Sequence, residues 1–125
     1  MSAVVLPGRP EAAAGAREFA AKALAGYPAA DDAITALNEM VTNAVQHSRS
    51  GLSGGSIEVR LTVTDASVLA EVLDAGPLGI PAAVSHDTFA ERGRGLVLVE
   101  ALTRAWGSAG NGLWWFWLPL GGDPQ

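Results

Sequence analysis

Residues 38–48 read NEMVTNAVQHS and place Glu39, Asn43 and His47 four residues apart along one line. Around them Ile34, Leu37, Val41, Ala44 and Val45 recur at helical spacing. At about 100° per residue the two sets form separate stripes, so DDAITALNEMVTNAVQHS (31–48) is expected to be a helix whose polar stripe faces away from the core. The spacing alone is that of any solvated helix face. Asparagine, however, is a poor mid-helix residue, because its short polar side chain favours competing backbone hydrogen bonds. Asn43 needs a reason to be there.

Working outward, the neighbouring segments alternate between helical and extended patterns. Residues 3–6 read as a short strand, and PGRPEAAAGAREFAAKALAGY (7–27) reads as a helix, with Pro10 in the first turn, Glu11 favouring the N-terminal dipole and Gly26 as a stop. After the exit loop SRSGLSGG the period changes to two. In SIEVRLTV, Ile57, Val59, Leu61 and Val63 alternate with Glu58, Arg60 and Thr62, the signature of a strand with one buried face. TDAS turns the chain, and VLAEVLD runs back to Asp74. Residues 75–95, broken by Pro77, Pro81 and four glycines, read as a long loop, a length that is usually functional or disordered. LVLVEALTRAW (96–106) reads as a helix and GLWWFWLPL (112–120) as the last strand. In that strand Trp114, Phe116 and Leu118 share one face, and Trp115 and Trp117 the other. The order predicts an α+β two-layer sandwich with an antiparallel or mixed sheet and helices on one face.

Composition narrows the function. The 125 residues suit one domain, residues 1–125, and at 49% hydrophobic they can fill one core. Cysteine is absent, so no disulfide or thiolate metal site forms. The opening MSAVVLPGRP lacks a basic leader and breaks at Pro7, and no stretch reads as a membrane span. A cytoplasmic protein with no membrane contact is expected. A net charge of -5 opposes a phosphate backbone, so direct nucleic-acid binding is not expected. Lys22 is the one lysine, which leaves arginine, backbone NH groups or a metal to hold any anionic ligand.

Two glycine-rich boundaries then join the asparagine helix. DAGPLG (74–79) stands where a strand ends, and GRGL (93–96) stands where a helix begins. Glycines at a helix start let a ligand approach the backbone, and the free NH groups of a first turn suit phosphate oxygens. A helix cap explains a lone GxG as well as a ligand does.

Taken together, NEMVTNAVQH, DAGPLG and GRGLVLVEAL resemble the N, G1 and G2 boxes of the GHKL ATPase superfamily, to which gyrase and the histidine kinases belong. Within it the chain resembles the short anti-sigma factor serine kinases, which regulate sigma factors by partner switching. The resemblance implies the Bergerat fold, a mixed, mostly antiparallel sheet covered on one face by helices. It also implies ATP and Mg²⁺ as ligands. Asp74 would accept a hydrogen bond from the adenine amino group and oppose the carbonyl of guanine, with Gly76 and Gly79 allowing close approach. Asn43 matches the magnesium ligand, and Glu39 the general base or the residue orienting the attacking hydroxyl. Residues 80–92 correspond to an ATP lid, closed by Arg92, Gly93, Arg94, Gly95 and Leu96 at the phosphates. Each of the named residues also has a plain reading: a turn acid, turn glycines, a solvated pair, solvated arginines.

His47 takes the motif's last position and reads as a structural histidine, and with His86 as the second histidine a zinc site is not expected. GNGLWW lacks the basic residue that relatives commonly place before the last strand. The partners implied are a small anti-sigma antagonist, phosphorylated on serine, and a sigma factor, and homodimers are usual among such relatives. The alternative is a nucleotide-dependent binding module without phosphotransfer.

Overall fold

The computed structural model describes residues 1–47, 55–74, 96–110, 112–122 and 124. In chain order these form β1 (Ser2–Pro7), α1 (Glu11–Ala23), α2 (Ala30–His47), β2 (Ser56–Thr64), β3 (Ser67–Leu73), α3 (96–102), β4 (Ala105–Gly110) and β5 (Leu113–Pro119). The strands make one sheet in the order β1-β2-β3-β5-β4. Every pairing is antiparallel. The chain therefore leaves β3, passes through α3, forms the edge strand β4 and returns as β5 between β4 and β3.

Alternation decides which side chains are buried. Ile57, Val59 and Leu61 of β2, Val68, Ala70 and Val72 of β3, and Phe116 and Leu118 of β5 all join one core under the helices. Full burial of each large apolar side chain is worth about 1.5–3 kcal/mol, so this face supplies much of the driving force. From the other layer α2 buries Ala33, Ala36, Leu37, Met40, Val41 and Ala44, while Ile34 and Val45 are half-buried against the same core. Helix α1 contributes Ala12, Ala16 and Ala20, a ridge of small side chains at i, i+4 that lets its backbone sit close. No described helix is long and apolar enough to cross a membrane.

Local chemistry fixes the turns. Asp65 and Ala66 have φ of 52° and 57°, the left-handed pair that a two-residue hairpin between twisted strands requires. Ser67 Oγ donates to the Thr64 carbonyl at 2.7 Å, and Leu120 N–H donates to the Ala66 carbonyl at 2.7 Å. At the far end of β5, Gly121 has φ of 82°, and a Cβ there would lie 3.0 Å from Pro28. The turn between α1 and α2 is held at this point, with Ala29 N–H donating to the Leu120 carbonyl.

The segment 96–106 departs from the sequence expectation. Its helix ends at residue 102, where both the N–H and the hydroxyl of Thr103 donate to the Val99 carbonyl, at 3.0 and 2.7 Å. Arg104 N–H then donates to the Trp117 carbonyl, and Ala105 and Trp106 begin β4. AWGSAG lacks the alternation that signals a strand, and its state comes from pairing with β5. Gly107 is part of that pairing, since a Cβ there would stand 3.1 Å from the Trp115 ring.

Candidate functional site

The polar stripe of α2 does not simply face solvent. Asn43 is 9% exposed, and its Nδ2 is cut off from water with no hydrogen-bond partner. The expectation of an outward stripe fails at this residue, because Trp114 from β5 and Leu96 from α3 pack beside the helix. Together with Met40 and Ala44 they line a narrow recess, too tight to enclose a water molecule, beside which this amide is set. One turn earlier, Glu39 is half-buried on the adjoining side of α2. His47 closes the helix.

Asp74 follows β3 directly, and its N–H donates to the Gly112 carbonyl at 2.8 Å, which ties the strand end to the start of β5. Val72 is buried on the helix-covered face and pairs with Trp114. Continuing the same alternation by two residues puts Asp74 on that face too, at the end of the sheet where Trp114 meets Asn43. The carboxylate Oδ2 is also shut off from solvent. Sequence positions 31 residues apart, 43 and 74, are thus brought to one side and one end of the molecule by the crossing of α2 over β3 and β5.

An orphaned buried amide is costly, about 1–3 kcal/mol for the desolvated group, and is kept only where something offsets it. Its two ends are complementary. The nitrogen donates to a phosphate oxygen, and a half-turn of the amide presents the oxygen to a hard cation. Among the described residues no three His, Cys, Asp or Glu side chains converge to hold a metal. A Mg²⁺ ion at Asn43 would therefore take this one amide and rely on phosphate and water oxygens, the usual habit of that ion. The residues present fit such a group.

Of the residues expected at the site, Glu39, Asn43, Asp74 and Leu96 are described. Leu96 is 3% exposed and lines the recess itself. Gly76, Gly79, Arg92, Gly93, Arg94 and Gly95 lie outside the described residues, as does His86. Sequence reasoning missed Met40, Ala44 and Trp114 as walls of the recess. The signal was present in part: Met40 is one turn before Asn43, and Trp114 shares the inward face of Phe116.

Among curated proteins no significant relative of the chain is found. The family model of the histidine kinase-like ATPase domain matches residues 6–114, from the end of β1 to Trp114, and so spans every element that builds the recess. Domains of this kind bind ATP, and by that match over most of its length the chain belongs to the histidine kinase-like ATPase family.

Proposed function

We propose that the protein is an ATP-dependent serine/threonine kinase that phosphorylates a small anti-sigma antagonist and, when that antagonist is spent, holds a sigma factor. The observation that carries this reading is the buried, unpartnered amide of Asn43 one turn after Glu39, on the side of the sheet where Asp74 ends β3. Asp74 reads the adenine amino group as an acceptor-only carboxylate, and this favours ATP over GTP. Asn43 holds the Mg²⁺ that neutralises triphosphate charge. Glu39 orients the attacking hydroxyl and takes up its proton, a role that phosphoryl transfer needs because positioning, more than covalent help, lowers its barrier. Gly76 and Gly79 admit the base, and Arg92, Gly93, Arg94 and Gly95 supply charge and NH groups to the phosphates.

A second reading keeps the nucleotide and drops the transfer. It is favoured by GNGLWW, where no cation stands before the last strand. Nucleotide then sets only the affinity for a partner. Incubation with labelled ATP and the serine-bearing partner, identified from the neighbouring genes, separates the two. The kinase reading requires a phosphoprotein that Glu39→Ala abolishes while ATP binding persists. Unchanged phosphorylation in that variant would sink the assignment of Glu39, and tight ATP binding with no phosphoprotein from the wild type would favour the plain binder.

A further inference from the structure

The Asn43 amide nitrogen is shut off from water, and the described walls of its recess differ in their freedom to move. Met40 and Ala44 are buried and stand on the same helix as Asn43. That stretch of α2 is anchored in the core through Leu37 and Val41, and in a close-packed interior it does not yield without unpacking the helix. Leu96 is almost fully buried, and the buried Val99 fastens α3 one turn further on. Trp114 is different. It is half-buried and packs against the core from its edge.

The register shows where this side chain can go. On the helix-covered face Trp114 has Val72 of β3 on one side and Ser108 of β4 on the other. Val72 is fully buried and leaves no space. Ser108 is small and exposed, and its hydroxyl is turned back to accept the Gly110 N–H at 3.3 Å. Among the described residues no strand lies beyond β4. A change of side-chain rotamer therefore carries the indole away from Asn43 and over Ser108, toward the edge of the sheet, with the backbone of β5 unmoved.

The recess as it stands is too tight for a water molecule, so neither a phosphate oxygen nor a hydrated cation reaches the amide while the indole is in place. The closed arrangement keeps a polar group dry and unsatisfied, and only the packing of its cover maintains that state.

We propose that Trp114 is an internal plug on the nucleotide site. In the ligand-free chain its indole closes off Asn43, and Mg²⁺ with the triphosphate gains that contact only after the ring has swung over Ser108. The proposal rests on the reading of Asn43 as the metal contact. Its consequence is regulatory: apparent affinity falls with the fraction of molecules in which the ring is displaced, so whatever favours the displaced ring raises nucleotide affinity.

Two experiments test the plug. Without nucleotide, the side-chain amide protons of Asn43, identified in NMR spectra by their loss in Asn43→Leu, should exchange with water about tenfold faster in Trp114→Val than in the wild type. Unchanged exchange means that the indole is not the cover, and it overturns the proposal. In the second experiment a fluorescent ribose-labelled ATP with Mg²⁺ is mixed rapidly with each protein. The wild-type binding rate should reach a ceiling set by the swing. In Trp114→Val the ceiling should vanish and the affinity should tighten about tenfold. Ser108→Ile fills the space the ring needs and should weaken the affinity about tenfold. Should Trp114→Val not fold, Trp114→Phe takes its place. Weaker binding by a folded Trp114 variant makes the ring a ligand contact and overturns the plug, as does a Ser108→Ile protein that binds like the wild type. A wild type without affinity for adenine nucleotides removes the proposed function, and the exchange experiment alone then decides whether Trp114 closes off Asn43.

Discussion

Two buried stretches of α2, around Leu37 and Val41 and around Asn43 and Ala44, are built on opposite terms. In the middle, Leu37 and Val41 share one buried core with Val59, Val72 and Phe116, all of them apolar. Near the end, Asn43 carries an amide nitrogen without a partner into a recess walled by Met40, Leu96 and Trp114. The first arrangement maximises stability. The second gives some of it away, and such a local loss marks a place where a ligand supplies the missing contact.

The sharpest way to break this comparison is to damage the first region. Phe116 is fully buried at the centre of the sheet, and Phe116→Ala should cost about 3–5 kcal/mol, measured as the change in free energy of urea unfolding. A loss below 1 kcal/mol would mean that the core lies elsewhere. Next comes the ligand arm. At a hundred times its dissociation constant ATP with Mg²⁺ should stabilise the wild type by about 2.7 kcal/mol. Asp74→Asn should abolish most of that gain, because an amide can present a donor where adenine needs an acceptor. A thermal-shift titration with ATP, ADP and GTP reads the effect, and an equal response to GTP would remove Asp74 from base recognition.

The most diagnostic change is smaller. Asn43→Leu, which keeps the branching and the number of heavy atoms, should raise the stability of the ligand-free protein by about 1–2 kcal/mol, since the orphaned amide is gone. The same variant should lose the Mg²⁺-dependent part of nucleotide binding in calorimetry. If the ligand-free variant proves less stable than the wild type, the amide has a structural partner and the contrast between the two regions disappears. The smallest effect concerns the hairpin. Ala66 sits at a φ of 57°, where a Cβ is strained, and Ala66→Gly should add about 0.5–1 kcal/mol, detectable as a raised melting temperature with nucleotide response unaltered.

Particular residues show how far the sequence could be read. The odd positions of SIEVRLTV announced the inward face of β2, and Ile57, Val59 and Leu61 lie there fully or almost fully buried. Trp114, Phe116 and Leu118 were legible as one face for the same reason. Helix α1 keeps within a few residues of its expected span, with Gly26 at φ 86° after its last turn. By contrast β4 was invisible. AWGSAG has neither a repeating pattern nor strong propensity, and it is extended because β5 offers a ladder beside it. The turn from α3 into β4 depends on Thr103 reaching back to Val99, a hydrogen bond that residue types alone do not announce.

The site divides in the same way. Order and chemistry of the boxes around Asn43 and Asp74 were in the chain, and they sufficed to expect an adenine nucleotide. That Asn43 is buried and not solvated could not be read from α2, whose own periodicity turns it outward. The burial arises because Trp114, 71 positions later, and Leu96, 53 positions later, close over that side of the helix. Local periodicity determines which way a side chain leaves its own element, so the sequence determined the strands, the helices and the inward faces. What stands opposite that side chain is set by contacts between distant segments, and only the tertiary structure decided that the asparagine would be shut away from water.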